Sequence, residues 1–307
     1  MENKKIDEER PWIVVEENAA DWRREDTEIV FICAAREEYN EFISYLRANN
    51  VQLLDAAKGK TSTFARYSAH RFRLEVENGG LVQCMVITPG KMGMVPSGAL
   101  CAHVLEKLRP KLVVMPGICG GIPNAVKRGH LVVVEKTYDY GAGKIDEEGN
   151  FRPAGDSCSI DGTLNPCIDD AEKALESIMA TCKRGALKIE LDGGIEHVLT
   201  KCDENEKGDV KVRRGAMPSG AAVVNELGYV EKWIKDTIHK PIAYDMEAYA
   251  VAFMCDNFRR RKTPWFVVKG VQDLPGDDSK RKGVYTRAMA HLSAAFAVDV
   301  ARRFAKP

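Results

Sequence analysis

Along the chain, short runs of β-branched and aromatic residues alternate with longer stretches in which apolar residues recur every three or four positions. The runs predict strands over 29–33 (Ile-Val-Phe-Ile-Cys), 72–77, 81–88, 112–116 (Leu-Val-Val-Met-Pro), 131–135, 210–213, 242–245 and 265–269 (Trp-Phe-Val-Val-Lys). The helical periods predict helices over 36–48, 95–108, 169–184, 228–238, 247–260 and 284–305. Strands alternating with helices in this way mean an α/β fold. Several runs are apolar on both faces, as central strands covered by helices are. In the last helix Val284, Ala288, Leu292, Phe296, Val300 and Phe304 form one stripe that should pack on the sheet, leaving Arg287, Arg302 and Arg303 in water. Between 138 and 168 Gly, Asp and Pro are frequent and periodicity is weak. A structureless segment of that length in a compact domain is expected to be a lid or an oligomer contact.

Residues 1–26 break the pattern, being dense in charge and interrupted by Pro11 and an apolar island from Trp12 to Val15. They read as an arm appended to one domain over 27–307. Hydrophobic residues make up 45% and charged residues 29%, which excludes disordered, collagen-like and disulfide-scaffold classes. Lys plus Arg and Asp plus Glu both total 45, so no overall field draws the chain to nucleic acid or to an anionic membrane. Any anion site has to be local. The nine cysteines are odd in number and never spaced as CxxC, the amino terminus is charged, and no apolar run reaches membrane-spanning length. A reducing, cytoplasmic setting is expected.

In open α/β sheets, ligands bind beyond the carboxyl ends of strands. Five polar or glycine-rich segments directly follow predicted strands: Ala34 to Glu38, Pro89 to Gly93, Gly117 to Gly121, Asp245 to Glu247, and Gln272-Asp273. Together they predict a small-molecule pocket holding acids and no obvious cation. Each acid also has a structural reading. Glu38 and Glu247 fall in first turns of predicted helices, where a carboxylate suits the helix dipole. Asp273 opens a Gln-Asp-Leu-Pro-Gly turn. The glycines at 117, 120 and 121 satisfy neither the dinucleotide nor the P-loop pattern. The six histidines are far apart, so no metal site is expected, and no cofactor is called for. G-x-S-x-G is absent and no cysteine has a signature nucleophile setting, so covalent catalysis is not expected.

Five stretches in order, Ile29 to Glu38, Met92 to Ser97, Gly117 to Gly121 with Val126 to Val134, Asp245 to Ala250 and Val267 to Asp273, resemble the purine nucleoside phosphorylase and methylthioadenosine/S-adenosylhomocysteine nucleosidase superfamily over roughly residues 28 to 305. Met92-Gly93-Met94 and Tyr138 to Lys144 resemble nucleosidase modules of bacterial defence systems. The resemblance implies a three-layer α/β/α sandwich around a mixed, partly barrel-like sheet. It also implies a homodimer or hexamer, and a purine nucleoside or nucleotide as ligand rather than nucleic acid or membrane. The family's reaction is cleavage of an N-ribosidic bond, in which the ribose becomes cationic and electrons flow into the departing purine.

By the same resemblance Asp273 is the general acid at purine N7, its pKa raised by burial. Glu247 accepts the ribose 2′- and 3′-hydroxyls, with Met246 below the sugar. Glu38 orients and deprotonates the attacking water, Val223 and Val224 hold the purine, and Gly93 and Gly117 give close approach to the ligand. Three departures matter. Met115 and Ile118 stand where the family's phosphorylases carry an arginine and a serine that grip phosphate, and Glu38 adds a negative charge there, so water is favoured as acceptor. Gln272 replaces a serine before the acid. Lys280-Arg281-Lys282, read as a loop beyond Asp273, suggests a clamp for a 5′-phosphate and hence AMP or ATP. The alternatives are a phosphate-dependent phosphorylase and a non-catalytic nucleotide sensor on the same fold.

Overall fold

Strand β1 (Ile29–Ile32) is buried at every position, and its side chains divide by the two-residue period of a strand. Ile29 and Phe31 join one apolar cluster, while Val30 and Ile32 join another. The two clusters are the two faces of a sheet that carries helices on both sides. This is a computed structural model, which describes residues 27–55, 63–76, 79–149, 151–153, 156–184, 210–224, 226–235, 239–259, 262–276 and 279–305. The predicted arm at 1–26 lies outside the described residues.

The further strands are β2 (Leu54–Asp55), β3 (Ser68–Glu75), β4 (Leu81–Thr88), β5 (Leu112–Gly121), β6 (Leu131–Thr137), β7 (Gly143–Ile145), β8 (Phe151–Pro153), β9 (Cys158–Ser159), β10 (Val212–Ala216), β11 (Ala243–Tyr244) and β12 (Trp265–Asp273). The helices are α1 (Arg36–Ala48), α2 (Met94–Lys107), α3 (Asn165–Lys173), α4 (Leu175–Arg184), α5 (Ala248–Asn257) and α6 (Ser279–Phe304). Residues of α1, α3, α4 and α6 fill one cluster, and residues of α2 and α5 the other.

The sheet runs β10-β6-β12-β5-β1-β4-β3-β2, with β11 added to β5 and β9 to β6. It is mixed: β1 is parallel to β4 and β5, and β5 to β12, whereas β12 is antiparallel to β6. One half closes on itself. Beyond the ends of β6, β10 and β11, Ser219 bridges Asp139 on one side and Asp245 on the other. The circuit β6, β12, β5, β11, β10 is thereby completed, and this is the partly barrel-like sheet that the family resemblance implies.

Several boundaries differ from the expectation. The glycine-rich stretch 117–121 continues β5 instead of leaving it, and β12 runs on to Asp273. The long helix expected over 169–184 is two helices meeting at Ala174. The helix expected over 228–238 is a single turn, Leu227–Tyr229, followed by a π-helical stretch, Val230–Lys235. The loop expected over 138–168 contains β7, β8, β9 and the start of α3. Helix α6 starts at Ser279 and is buried well beyond one stripe, because alanines 290, 294, 295, 297 and 301 let the sheet and neighbouring helices close around it. Arg302 and Arg303 are accordingly part-buried, bonding to Glu75 O and Asp299 Oδ2 respectively. Among the described residues no helix is long and apolar enough to cross a membrane, and eight cysteines are free thiols.

Candidate active site

Glu38 caps a helix with one oxygen and reaches the sheet with the other. It occupies the third position of α1, where Oε2 accepts a hydrogen bond from Ala35 N at 3.0 Å and so caps the helix. Its other oxygen, Oε1, reaches across to β5 and accepts from Ile118 N at 2.9 Å. The approach depends on Gly117, since a Cβ there would overlap the Glu38 carboxylate and come within 2.6 Å of Lys269 Nζ. Gly117 N in turn donates to Ser293 Oγ of α6 at 3.0 Å.

Behind the described lining of the site, Lys269 supplies a buried cation to its acids. It lies within β12, fully buried, with Nζ 3.4 Å from Glu38 Oε1 and 3.9 Å from Asp245 Oδ2. Burial alone lowers the pKa of an amine, but the Glu38, Asp245 and Glu247 carboxylates outweigh it and hold this one above the usual lysine value. Lys269 is therefore charged. It was read only as a strand end, although a lysine inside an otherwise apolar strand must be paired if it is buried.

Asp245 follows β11 and organises the start of α5. It accepts from Ser219 Oγ at 2.6 Å, from Glu247 N at 3.2 Å and from Ala248 N at 3.1 Å. Burial raises its pKa, while Lys269 and these bonds oppose the shift. Glu247, the N-cap residue of α5, accepts from Gly93 N at 2.7 Å. Gly93 adopts φ +113, a conformation that L side chains rarely take, as the N-cap residue of α2. Burial, then repulsion from Asp245 and Glu38, pushes the Glu247 pKa up to about 7 against the pull of Lys269 and the Gly93 amide.

Tyr244 pairs with Gly120 between β11 and β5. Its ring fills the space that a Gly120 side chain would need, and its hydroxyl donates to Val224 O at 3.0 Å. The segment ending at Val224 is thus tied to the sheet. At the end of β12 the pairing with β5 steps from Val271↔Cys119 to Asp273↔Gly120, so a bulge carries Asp273, itself buried, to the rim.

These elements enclose a cavity of about 200 Å³. Glu38, Met246, Glu247, Val223, Val224 and Asp273 all line it, and residues from each of the five predicted segments contribute to it or to its acids. Gly93 and Gly117 are not among the lining residues; each holds one of the acids in place instead. The side chains of Lys280, Arg281 and Lys282 lie outside what is described, and their backbone forms the first turn of α6 rather than a loop. Sequence reasoning missed Lys269, Ser219 and Ser293, and gave Asp245 no role of its own. Among the described residues no cluster of His, Cys, Asp or Glu is arranged to hold a metal ion. Cys119 faces the cavity, but burial and the surrounding carboxylates push its thiol pKa well up, so it stays protonated.

A mixed, half-closed sheet between helical layers, with carboxylates gathered at the ends of β1, β11 and β12, defines a nucleoside phosphorylase-like α/β fold. The chain belongs to the phosphorylase superfamily, whose family profile matches residues 28–306. It is 28% identical over 222 residues to the uncharacterized protein y4jS of Sinorhizobium fredii, covering 71% of this chain and 49% of that one. It is 23% identical over 201 residues to the ATP nucleosidase Cap17 of Escherichia coli, covering 66% of this chain and 38% of Cap17. The chain thus spans half or less of the length of these two relatives. Among solved structures, the 5′-methylthioadenosine/S-adenosylhomocysteine nucleosidase of Neisseria meningitidis in complex with methylthio-immucillin-A superposes with a TM-score of 0.64 at 17% identity, covering 90% of this chain and 99% of that one.

Proposed function

We propose that the protein is a purine N-glycosidase that hydrolyses the N-ribosidic bond of a purine nucleoside or nucleotide to free base and sugar, with an adenine nucleotide such as AMP or ATP as the favoured substrate. The observation that carries this reading is the convergence of Glu38, Glu247 and Asp273 on one cavity. As the bond stretches, Asp273 protonates the departing purine at N7. Glu247, ionised, accepts the ribose hydroxyls and favours the positive charge growing on the ring. Glu38, 3.4 Å from the Lys269 ammonium, orients a water below the sugar and takes its proton. Val223 and Val224 wall the base, and Met246 packs against the ribose.

Hydrolysis rather than phosphorolysis is supported by the lining of the cavity. It holds the acids Glu38, Asp245, Glu247 and Asp273 and, among the described residues, no Lys or Arg. Met115 is buried in the apolar core, and the Gly117 and Ile118 amides already serve Ser293 and Glu38. A phosphate dianion entering there meets like charge and finds these two amide donors already engaged. The ATP nucleosidase Cap17 and the Neisseria nucleosidase support the reaction type. The choice of AMP or ATP rests on Lys280, Arg281 and Lys282, which follow Asp273 within a few residues. The resemblance of Met92-Gly93-Met94 to defence-system nucleosidases supports a role in bacterial defence.

Incubation with a panel of purine nucleosides and nucleotides, with and without inorganic phosphate, tests the proposal by release of free base. Equal rates in phosphate-free buffer, with a reducing ribose or ribose 5-phosphate species as product, are expected. Formation of ribose 1-phosphate, or an absolute need for phosphate, would establish a phosphorylase.

A further inference from the structure

Gln272 and Asp273 are consecutive, yet both face the cavity. A regular strand sends neighbouring side chains to opposite faces. The bulge in β12 removes that constraint, because Gln272 is the extra residue between Val271, paired with Cys119, and Asp273, paired with Gly120. The Gln272 carboxamide is also oriented: Oε1 accepts from Thr286 Oγ1 of α6 at 2.6 Å. A carboxamide has one acceptor oxygen and one NH2 donor group. With the oxygen held by α6, the NH2 group is the end left for a ligand, and among the described residues Nε2 has no hydrogen-bond partner. A neutral amide thus stands beside Asp273 among the described residues that line the cavity.

We propose that Gln272 is a specificity-determining residue for the base, and that its NH2 group lets the site take 6-oxo purines, of the hypoxanthine and guanine type, as well as 6-amino ones. The inference rests on the purine reading above. Position 6 is the next group along the purine edge from N7. A 6-oxo purine offers two acceptors there, N7 and O6, whereas adenine offers an acceptor and a donor. Protonated Asp273 has one O–H and one acceptor oxygen, which match adenine but leave O6 facing an acceptor. The Gln272 NH2 group supplies the missing donor, and Thr286 fixes which end of the carboxamide points inward.

Base release from inosine, adenosine and their 5′-monophosphates should be compared for the wild type, Gln272→Ala, Gln272→Glu and Thr286→Val. Free hypoxanthine and adenine should be titrated against the same proteins by calorimetry. The wild type is expected to turn over 6-oxo substrates with kcat/KM within about tenfold of their 6-amino counterparts. Gln272→Ala should shift that ratio against the 6-oxo substrate by about tenfold, the factor that one hydrogen bond allows. Gln272→Glu, which lacks the donor, should shift it further, and Thr286→Val should shift it less. Loss of both substrate classes by one common factor in Gln272→Ala overturns the proposal, as does wild-type rejection of 6-oxo purines by more than a hundredfold. If no purine substrate is cleaved at all, the N-glycosidase reading fails. Titration then decides the contact by itself: hypoxanthine affinity weakened by Gln272→Ala supports it, and unchanged affinity overturns it.

Discussion

The Lys269 ammonium lies 3.4 Å from the Glu38 carboxylate, with 0% and 4% of the two side chains exposed, although 231 positions separate them in the chain. The pair joins β12 to α1 at the cavity floor. It also lets several acids share one small space, since Asp245 lies 3.9 Å from the same ammonium and Glu247 feels its charge. The function proposed for Glu38 depends on this cation, because a buried charge is costly unless it is paired.

Lys269→Met keeps most of the side-chain volume and removes the charge. Breaking one side of a buried ion pair costs about 3–5 kcal/mol, so a loss of that order is expected in urea denaturation at neutral pH. Turnover should fall at least a hundredfold, and Lys269→Arg should recover part of both losses. Wild-type stability for Lys269→Met at neutral pH would show that the acids do not need the ammonium.

The pH dependence has a defined sign. Glu247 carries a pKa raised from 4.5 to about 7, so the fold favours its protonated form. The stability it contributes is complete below about pH 4.5 and is lost as pH rises through about 7. Activity runs the other way, because the ionised carboxylate is the form that accepts the ribose hydroxyls. The acid limb of the kcat/KM profile should have an apparent pKa near 7, a value shared with the neighbouring acids because they titrate together. Glu247→Gln should remove the limb, lower activity throughout and flatten the stability loss between pH 4.5 and 7. A wild-type limb near 4.5 would mean that Glu247 is ionised far more easily in solution.

Asp273→Asn preserves shape and removes the proton source. General acid catalysis contributes about 10²- to 10⁴-fold, so kcat should fall by at least the lower figure while the melting temperature and ligand affinity stay close to wild type. More than a tenth of wild-type kcat would exclude Asp273 from proton transfer.

The parts of this fold that were legible in the sequence are those decided locally. Helix α1 is read within its true bounds because its apolar period and acidic first turn agree, and β1 because four apolar residues in succession need cover on both faces. The acids at Glu38, Glu247 and Asp273 are legible because each lies in a polar segment that follows a predicted strand. What escaped depends on partners distant in the chain. Lys269 looks like the end of a strand until α1 and β11 bring carboxylates to it. The bulge at Gln272 exists only in the register with β5. The closing bridge at Ser219 needs Asp139 and Asp245 from two separate segments.

The basic run beyond Asp273 suggests a 5′-phosphate clamp. Lys280, Arg281 and Lys282 occupy the first turn of α6, which carries no acidic residue. Cations at a helix amino terminus oppose the helix dipole, each by about 0.3–1 kcal/mol when exposed. Helix formation therefore supplies no reason for three in succession, whereas the amino terminus of a helix with basic residues in its first turn suits a phosphate. Replacing all three by alanine should consequently act in opposite directions on two measurements. The ligand-free protein should become more stable by roughly 1 kcal/mol. The kcat/KM for a purine 5′-nucleotide should fall by about one to two orders of magnitude, as charge-assisted hydrogen bonds of about 1.5–3 kcal/mol allow, while that for the bare nucleoside holds. Raising salt should reproduce only part of the effect, since partly buried pairs are screened less than exposed ones. Equal loss of nucleotide and nucleoside turnover, or wild-type preference for the bare nucleoside, would leave the run without a phosphate to hold and move the search for the 5′ pocket to the segment between 138 and 168.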